Sequence, residues 1–206
     1  MGNTIPDVLL PASTWALLAP LRVAVRRTMR DADDEVHNVQ TIAADGTKLY
    51  LAGAQRMGAF HLLGELRAGT PVIVAGGYAT TAIVHRTMGL PVAVALDTSN
   101  LLAVARALRD RDPARPIFMA ADNDHHLPLW AKLLPNAGRE KAEAAAKAVR
   151  ATVLLPEPVA GRVAKGKGAD WNDYEASRGR EATRAAGLRE AARLRPAERE
   201  RTGLSV

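Results

Sequence analysis

Two aspartates one residue apart, Asp122 and Asp124, stand directly after the apolar run Pro116–Ala121. Carboxylates drawn to one point repel each other unless a cation sits between them. Oxygen ligands in a chain with no cysteine suit Mg²⁺ or Mn²⁺. A second acidic pair, Asp170 and Asp173, follows a Gly- and Lys-rich stretch and can complete an anionic pocket. The alternative is structural: Asp122 caps the next segment while Asp124 is solvated. His125 and His126 are either further ligands, acid/base groups or solvated loop residues. Lys165 and Lys167, interleaved with Gly166 and Gly168, can hold phosphate oxygens or belong to an unspecific solvated loop. Gly76-Gly77 is a weak phosphate-loop signal. Neither G-x-G-x-x-G nor a Walker sequence is present, so no dinucleotide or ATPase site is assigned.

These groups can meet only if the chain returns repeatedly to one edge. Four apolar runs supply that return: PVIVA from Pro71, LPVAVAL from Leu90, PIFMAA from Pro116 and ATVLLP from Ala151. Helical patterns separate them, at Thr80–Met88, after Asn100, and at Arg139–Arg150. In the second, Leu101, Leu102, Ala105 and Leu108 share one face, with Arg106, Arg109 and Asp110 on the other. Buried strands alternating with helices predict an α/β fold with a mostly parallel four-stranded sheet flanked by helices. Sites in such sheets form outside the carboxyl ends of the strands. Three polar clusters fall there: Gly76-Gly77-Tyr78, Asp97-Thr98-Ser99-Asn100 and Asp122-Asn123-Asp124.

The flanks differ in character. Residues 1–36 show broadly helical spacing interrupted by Pro11 and Pro20, and Asp31–Glu35 makes an acidic turn. VHNVQTI alternates up to Asp45-Gly46, a tight-turn dipeptide, and KLYLAG returns. AFHLLGEL adds a third short strand or turn. A small β-rich lobe therefore precedes the sheet. The organisation expected is residues 1–68 as a helical segment plus this lobe, 69–175 as the main domain, and 176–206 as a charged helical tail.

Charge narrows the partners. Lys plus Arg is 28 and Asp plus Glu is 22, a net charge of +6. Such an excess favours polyanions such as nucleic acid or nucleotides. Aromatic residues make up only 4%, which argues against base stacking as the main binding device. The absence of cysteine excludes disulfide scaffolds, thiolate metal sites and cysteine nucleophiles. No apolar run approaches a membrane span of about 20 residues. The expected compartment is the cytoplasm.

In order along the chain, VIVAGGYATTAIVHRTMGLPVAVALDTSNLLAVARAL, PIFMAADNDHH and KGADWNDYEA resemble the Toprim domain of plasmid- and phage-encoded DNA primases. NVQTIAADGTKLYLAGAQRMGAF resembles the small β-rich lobe that precedes Toprim there. The resemblance implies a Toprim-like sheet and a divalent cation, Mg²⁺ or Mn²⁺, at Asp122 and Asp124. It matches Asp170 and Asp173 to the late acidic motif, and Lys48 and Arg56 to basic positions facing nucleotide phosphates or template. The implied partners are single-stranded DNA template and nucleotides, with other plasmid replication or transfer proteins as further candidates and no membrane. The implied activity is RNA primer synthesis by nucleotidyl transfer. One position departs: where the family carries glutamate, in Glu-Gly-Tyr-Ala-Thr, this chain has Gly76. Glycine can neither ligate through a side chain nor accept a proton, which implies weakened or lost catalysis. Two other functions fit the same features, a non-catalytic DNA-binding or partner-docking module and a metal-dependent nuclease.

Overall fold

The computed structural model describes residues 23–43, 47–123, 136–158 and 170–192. It begins with a three-stranded antiparallel sheet of β1 (Val23–Arg30), β2 (Val36–Ala43) and β3 (Lys48–Tyr50), in that order. This corrects the helical expectation for residues 23–30. The segment VAVRRTMR is rich in β-branched residues and pairs along its length with β2, for example Val25 with Ile42 and Thr28 with Val39. The apolar spacing that suggested a helix lies mostly in residues 1–22, outside the described residues. Asp45-Gly46 also lies outside them. The strands on either side pair as a hairpin requires, Gln40 with Tyr50 and Ile42 with Lys48.

The second sheet follows β4 (His61–Leu63), β5 (Val72–Ala75), α1 (Tyr78–Met88), β6 (Val92–Val94), α2 (Leu101–Arg111), β7 (Ile117–Ala120), α3 (Ala137–Val149), β8 (Thr152–Leu154), α4 (Trp171–Arg178) and α5 (Arg180–Ala192). Its strand order is β4-β6-β5-β7-β8. The four expected strands run parallel. The sheet has a fifth strand as well. β4, expected with the small lobe, pairs antiparallel with β6, His61 opposite Val94 and Leu63 opposite Val92. It covers an edge of β6 that would otherwise present unpaired backbone groups.

Strand alternation divides the core into two faces. Val72, Val74, Ile117 and Met119 point to one side and pack with Leu101, Val104 and Leu108 of α2 and Ala142, Ala146 and Val149 of α3. Ile73, Ala75, Phe118 and Ala120 point to the other and meet Val84 of α1, Trp171 and Tyr174 of α4 and Ala186 of α5. Because helices cover both faces, these strands are apolar at every position. α5, within the segment expected as a charged helical tail, packs one side against the domain. Thr183, Ala186 and Gly187 are buried, and Gly187 lets the helix approach Met88, whose Sδ would lie 3.0 Å from an added Cβ.

The two sheets are bound together. Arg30 and Phe60 exchange backbone hydrogen bonds of 2.7 Å, which stitch β1 to the entry of β4. Met29, fully buried, packs with Ala59, Val94 and Leu96. The acidic turn after β1 forms as expected and is tied down at both ends. Asp31 Oδ1 accepts the backbone N–H groups of Asp33 and Glu35 at 2.9 Å, and its Oδ2 lies 2.7 Å from His37 Nε2. Arg111, at the end of α2, donates to the Ala32 carbonyl and to Asp33.

The hydrogen bond from His37 holds the Asp31 carboxyl below its ordinary value. Burial opposes this, and the Glu35 and Asp33 N–H groups reinforce it. A carboxyl depressed by folding stabilises the protein above its unfolded value, about 3.9, and that contribution fades as pH falls through the lower folded value. Asp31→Asn is therefore expected to lower stability at pH 6 and to flatten the acid limb of a stability profile below about pH 4. Denaturant unfolding across pH measures this, and an unchanged acid limb would show that the turn contributes nothing.

Candidate functional site

Parallel pairing sets the carboxyl ends of β6, β5 and β7 side by side, with β5 in the middle. Each ends in a polar turn. β5 leads into Gly76-Gly77 and then α1, whose N-cap is Gly77. β7 leads into Asp122. These two ends are joined by a side-chain hydrogen bond: the Thr80 hydroxyl, in the first turn of α1, donates to Asp122 Oδ1 at 3.0 Å. Thr80 is buried and Asp122 half-buried. Asp122 thus has a fixed carboxylate at a strand end, with one oxygen oriented by a hydroxyl.

The end of β6 leans over the end of β5. Leu96 takes a left-handed backbone conformation at φ 63°, sparsely populated for a branched residue, and turns the chain. Thr98 then lies against Gly76. A Cβ at Gly76 would stand 3.1 Å from Thr98 Cγ2 and 3.7 Å from its nitrogen. Asp97 caps the turn, its Oδ1 accepting the Ser99 N–H at 2.7 Å. Burial pushes the Asp97 carboxyl up, but hydrogen bonds from Ser99 together with Arg56 and Lys141 outweigh it and hold the carboxyl below its ordinary value.

Beyond β7, Asn123 continues the edge. Its Nδ2 donates to the Pro156 carbonyl after β8 at 3.2 Å, and its Oδ1 accepts from Asn136 Nδ2 at 3.1 Å. Asn136 in turn caps α3, its Oδ1 3.3 Å from the Arg139 nitrogen. The middle residue of the Asp-Asn-Asp motif is therefore a buried tie between β7, β8 and α3.

Asp170 and Asp173 lie in the first turn of α4. Asp170 is its N-cap, with Oδ1 accepting the Asp173 N–H at 2.6 Å. The carboxylates also favour the positive end of the helix. Trp171 between them is almost wholly buried, and among the described residues its Nε1 has no hydrogen-bond acceptor. Asp124, His125, His126, Lys165 and Lys167 lie outside the described residues. Among the described residues, no three acidic or imidazole side chains form a group that could hold a metal ion. The donors that are described at the strand ends, Asp122 and Asp97 with threonine hydroxyls beside them, are all oxygen, the chemistry a hard divalent cation requires.

The basic residues come from the small lobe. Lys48 is exposed on β3. Arg56 sits in the loop between β3 and β4. Its Nη1 lies 3.7 Å from Asp97 Oδ2, and its Cζ lies 5.3 Å from the centroid of the Tyr50 ring. The structure thus brings Arg56 to the carboxyl end of β6. Tyr50, which no local signal marks, and Asn100, the last residue of the Asp97–Asn100 cluster, build this corner. Asn100 was visible as a buried-type position, a polar residue set directly before the apolar face of α2.

The contact over Gly76 yields a steric prediction. Gly76→Ala forces the Thr98 methyl to give way and is expected to cost about 1 kcal/mol. Thr98→Ser removes that methyl, so Gly76→Ala should be nearly neutral in that background. Equal costs in both backgrounds, measured by thermal unfolding, would show that Thr98 does not crowd position 76.

Residues 71–181 match the Toprim domain family. Two Escherichia coli proteins, each a DNA primase TraC, are 39% and 38% identical to this chain over 129 residues, 61% of its length. The matched part spans only 9% and 12% of those relatives. Among solved structures, the primase fragment of the bacteriophage T7 primase-helicase superposes with a TM-score of 0.54 at 16% identity, covering 79% of this chain and 62% of that one. The same coverage of this chain, and 76% of the other, is found at TM-score 0.50 and 17% identity with T7 primase domains solved with lagging-strand DNA polymerase, an RNA/DNA hybrid and dTTP. Those two likenesses show a shared fold. With its strand-end turns at positions 76, 97 and 122 inside the matched span, this chain belongs to the Toprim domain family.

Proposed function

We propose that the chain is a primase-type Toprim protein of a plasmid or other mobile element. It binds a divalent cation, nucleic acid and nucleotides for RNA primer synthesis, with activity weakened or lost at Gly76. The observation that carries this reading is the Asp122 carboxylate, held by Thr80 at the end of β7, within a Toprim span similar to Escherichia coli DNA primase TraC. Asp122 and Asp124 would hold Mg²⁺ or Mn²⁺, with Asp170 and Asp173 adding negative charge from α4. When bound, the cation would neutralise phosphate oxygens during nucleotidyl transfer. Lys48, Arg56, Lys165 and Lys167 would bind phosphates of nucleotide or template. Thr80 would orient Asp122.

Gly76 favours a second reading. With no side chain at the end of the central strand, the site lacks the carboxylate that the family pattern carries there. The protein would then act as a DNA-binding or docking module in plasmid replication or transfer.

Two measurements test these readings. Asp122→Asn is expected to weaken Mn²⁺ binding about tenfold or more in calorimetry, one tenfold step being about 1.4 kcal/mol. Unchanged affinity would remove Asp122 from the metal site. Gly76→Glu, made with Thr98→Ser to clear its Cβ, is expected to raise primer synthesis on single-stranded template with NTPs and Mn²⁺ by about 10²-fold or more, the usual worth of a positioned acid or base. Salt-dependent DNA binding with no product from either protein would establish the module instead.

A further inference from the structure

Asn100 is fully buried and spends its whole amide on the junction between the two sheets. Its Oδ1 accepts the Gly58 N–H at 2.8 Å. Its Nδ2 donates to the Ala59 carbonyl at 2.9 Å and to the Ala95 carbonyl at 3.1 Å. Gly58 and Ala59 belong to the loop that carries Arg56. Ala95 directly follows β6, and the turn after it carries Asp97. One side chain therefore clamps the Arg56 loop to the strand that bears its acidic partner.

Tyr50 holds the same corner from the other side. Its hydroxyl donates to the Leu96 carbonyl at 3.1 Å and accepts from Gln40 Nε2 at 2.7 Å. Its ring lies under the Arg56 guanidinium. The bracket fixes where the guanidinium stands without consuming it. The contact to Asp97 at 3.7 Å is longer than a hydrogen bond, both side chains are partly exposed, and such a pair is weak in water. A planar cation resting on a ring, its loop already ordered, loses less freedom when it binds a phosphate than one on a free loop.

We propose that Asn100 and Tyr50 are positioning residues that hold Arg56 at the carboxyl edge of the sheet as a preorganised phosphate-binding group. This rests on the reading of Arg56 as phosphate-facing. The ligand chemistry is the phosphate of a nucleotide or of a polynucleotide. Neither residue touches it.

The test is a double-mutant cycle on the full 206-residue chain, read by fluorescence anisotropy with a single-stranded oligonucleotide and separately with a labelled nucleoside triphosphate. Arg56→Ala is expected to weaken binding about tenfold, within the range for one charged hydrogen bond. Asn100→Ala is expected to weaken it several-fold when Arg56 is present and to add nothing in the Arg56→Ala background. A general loss of structure would act in both backgrounds. Asn100→Ala also costs stability, so Tyr50→Phe gives a second cycle. It removes the bond to Leu96, keeps the ring, and is expected to be equally silent once Arg56 is gone. Whichever probe shows the coupling identifies the source of the phosphate. Additive losses in both cycles would overturn the positioning role while leaving Arg56 as a phosphate contact. Unchanged binding in Arg56→Ala would overturn the reading of Arg56 and the positioning role with it.

Discussion

The parallel pairing of β5 with both β6 and β7 is the constraint on which the rest depends. β5 has four residues, each completely buried and apolar. A strand in that position has no freedom to choose a face, because both faces are covered. Parallel neighbours also require every crossover to leave at the carboxyl end and return through a helix. All polar turns of the central strands therefore collect at one edge. Gly76, Asp97 and Asp122 are brought to one edge by hydrogen-bond geometry in the sheet.

That edge is then stiffened by short polar side chains. Thr80 ties α1 to Asp122, Asn123 ties β7 to the end of β8, and Asn136 links Asn123 to the start of α3. Asn100 does the same between β6 and the small lobe. An unsatisfied buried amide costs about 1–3 kcal/mol, so each of these residues is committed to its partners. Beside the apolar contacts of Leu96, Leu101 and Ala121, these hydrogen bonds keep the shape of the edge.

Much of this was legible in the sequence because burial on two faces leaves a strong signal. PVIVA, LPVAVAL, PIFMAA and ATVLLP are apolar at consecutive positions, and each became a strand of the parallel sheet. The strand end just before Asp122 was readable for a similar reason, since a polar residue directly after a buried apolar run marks where the strand stops. β1 was not readable. Its pairing partner lies across a turn, and VAVRRTMR has Arg26 and Arg27 in place of a clean alternation. The partner of β4 was hidden too, because His61-Leu62-Leu63 specifies a short strand without saying which sheet has an open edge. Tyr50 and Asn100 share that difficulty. Each also depends on contacts with residues 41 to 46 positions away, and local pattern carries no such information.

Gly76 sits where the two kinds of constraint meet. The sheet brings the end of β6 close above it, and Thr98 occupies space that a side chain at position 76 would need. That closeness depends on Leu96 holding a left-handed conformation, a cost the surrounding structure sustains because Leu96 itself is buried and its carbonyl accepts from Tyr50. The small lobe therefore bears on position 76 through Tyr50 and the β6 turn. Any side chain placed there would have to be accommodated by this turn, whose Asp97 lies 3.7 Å from Arg56. The chemistry of the central strand end and the placement of the basic loop are in this way one packing problem.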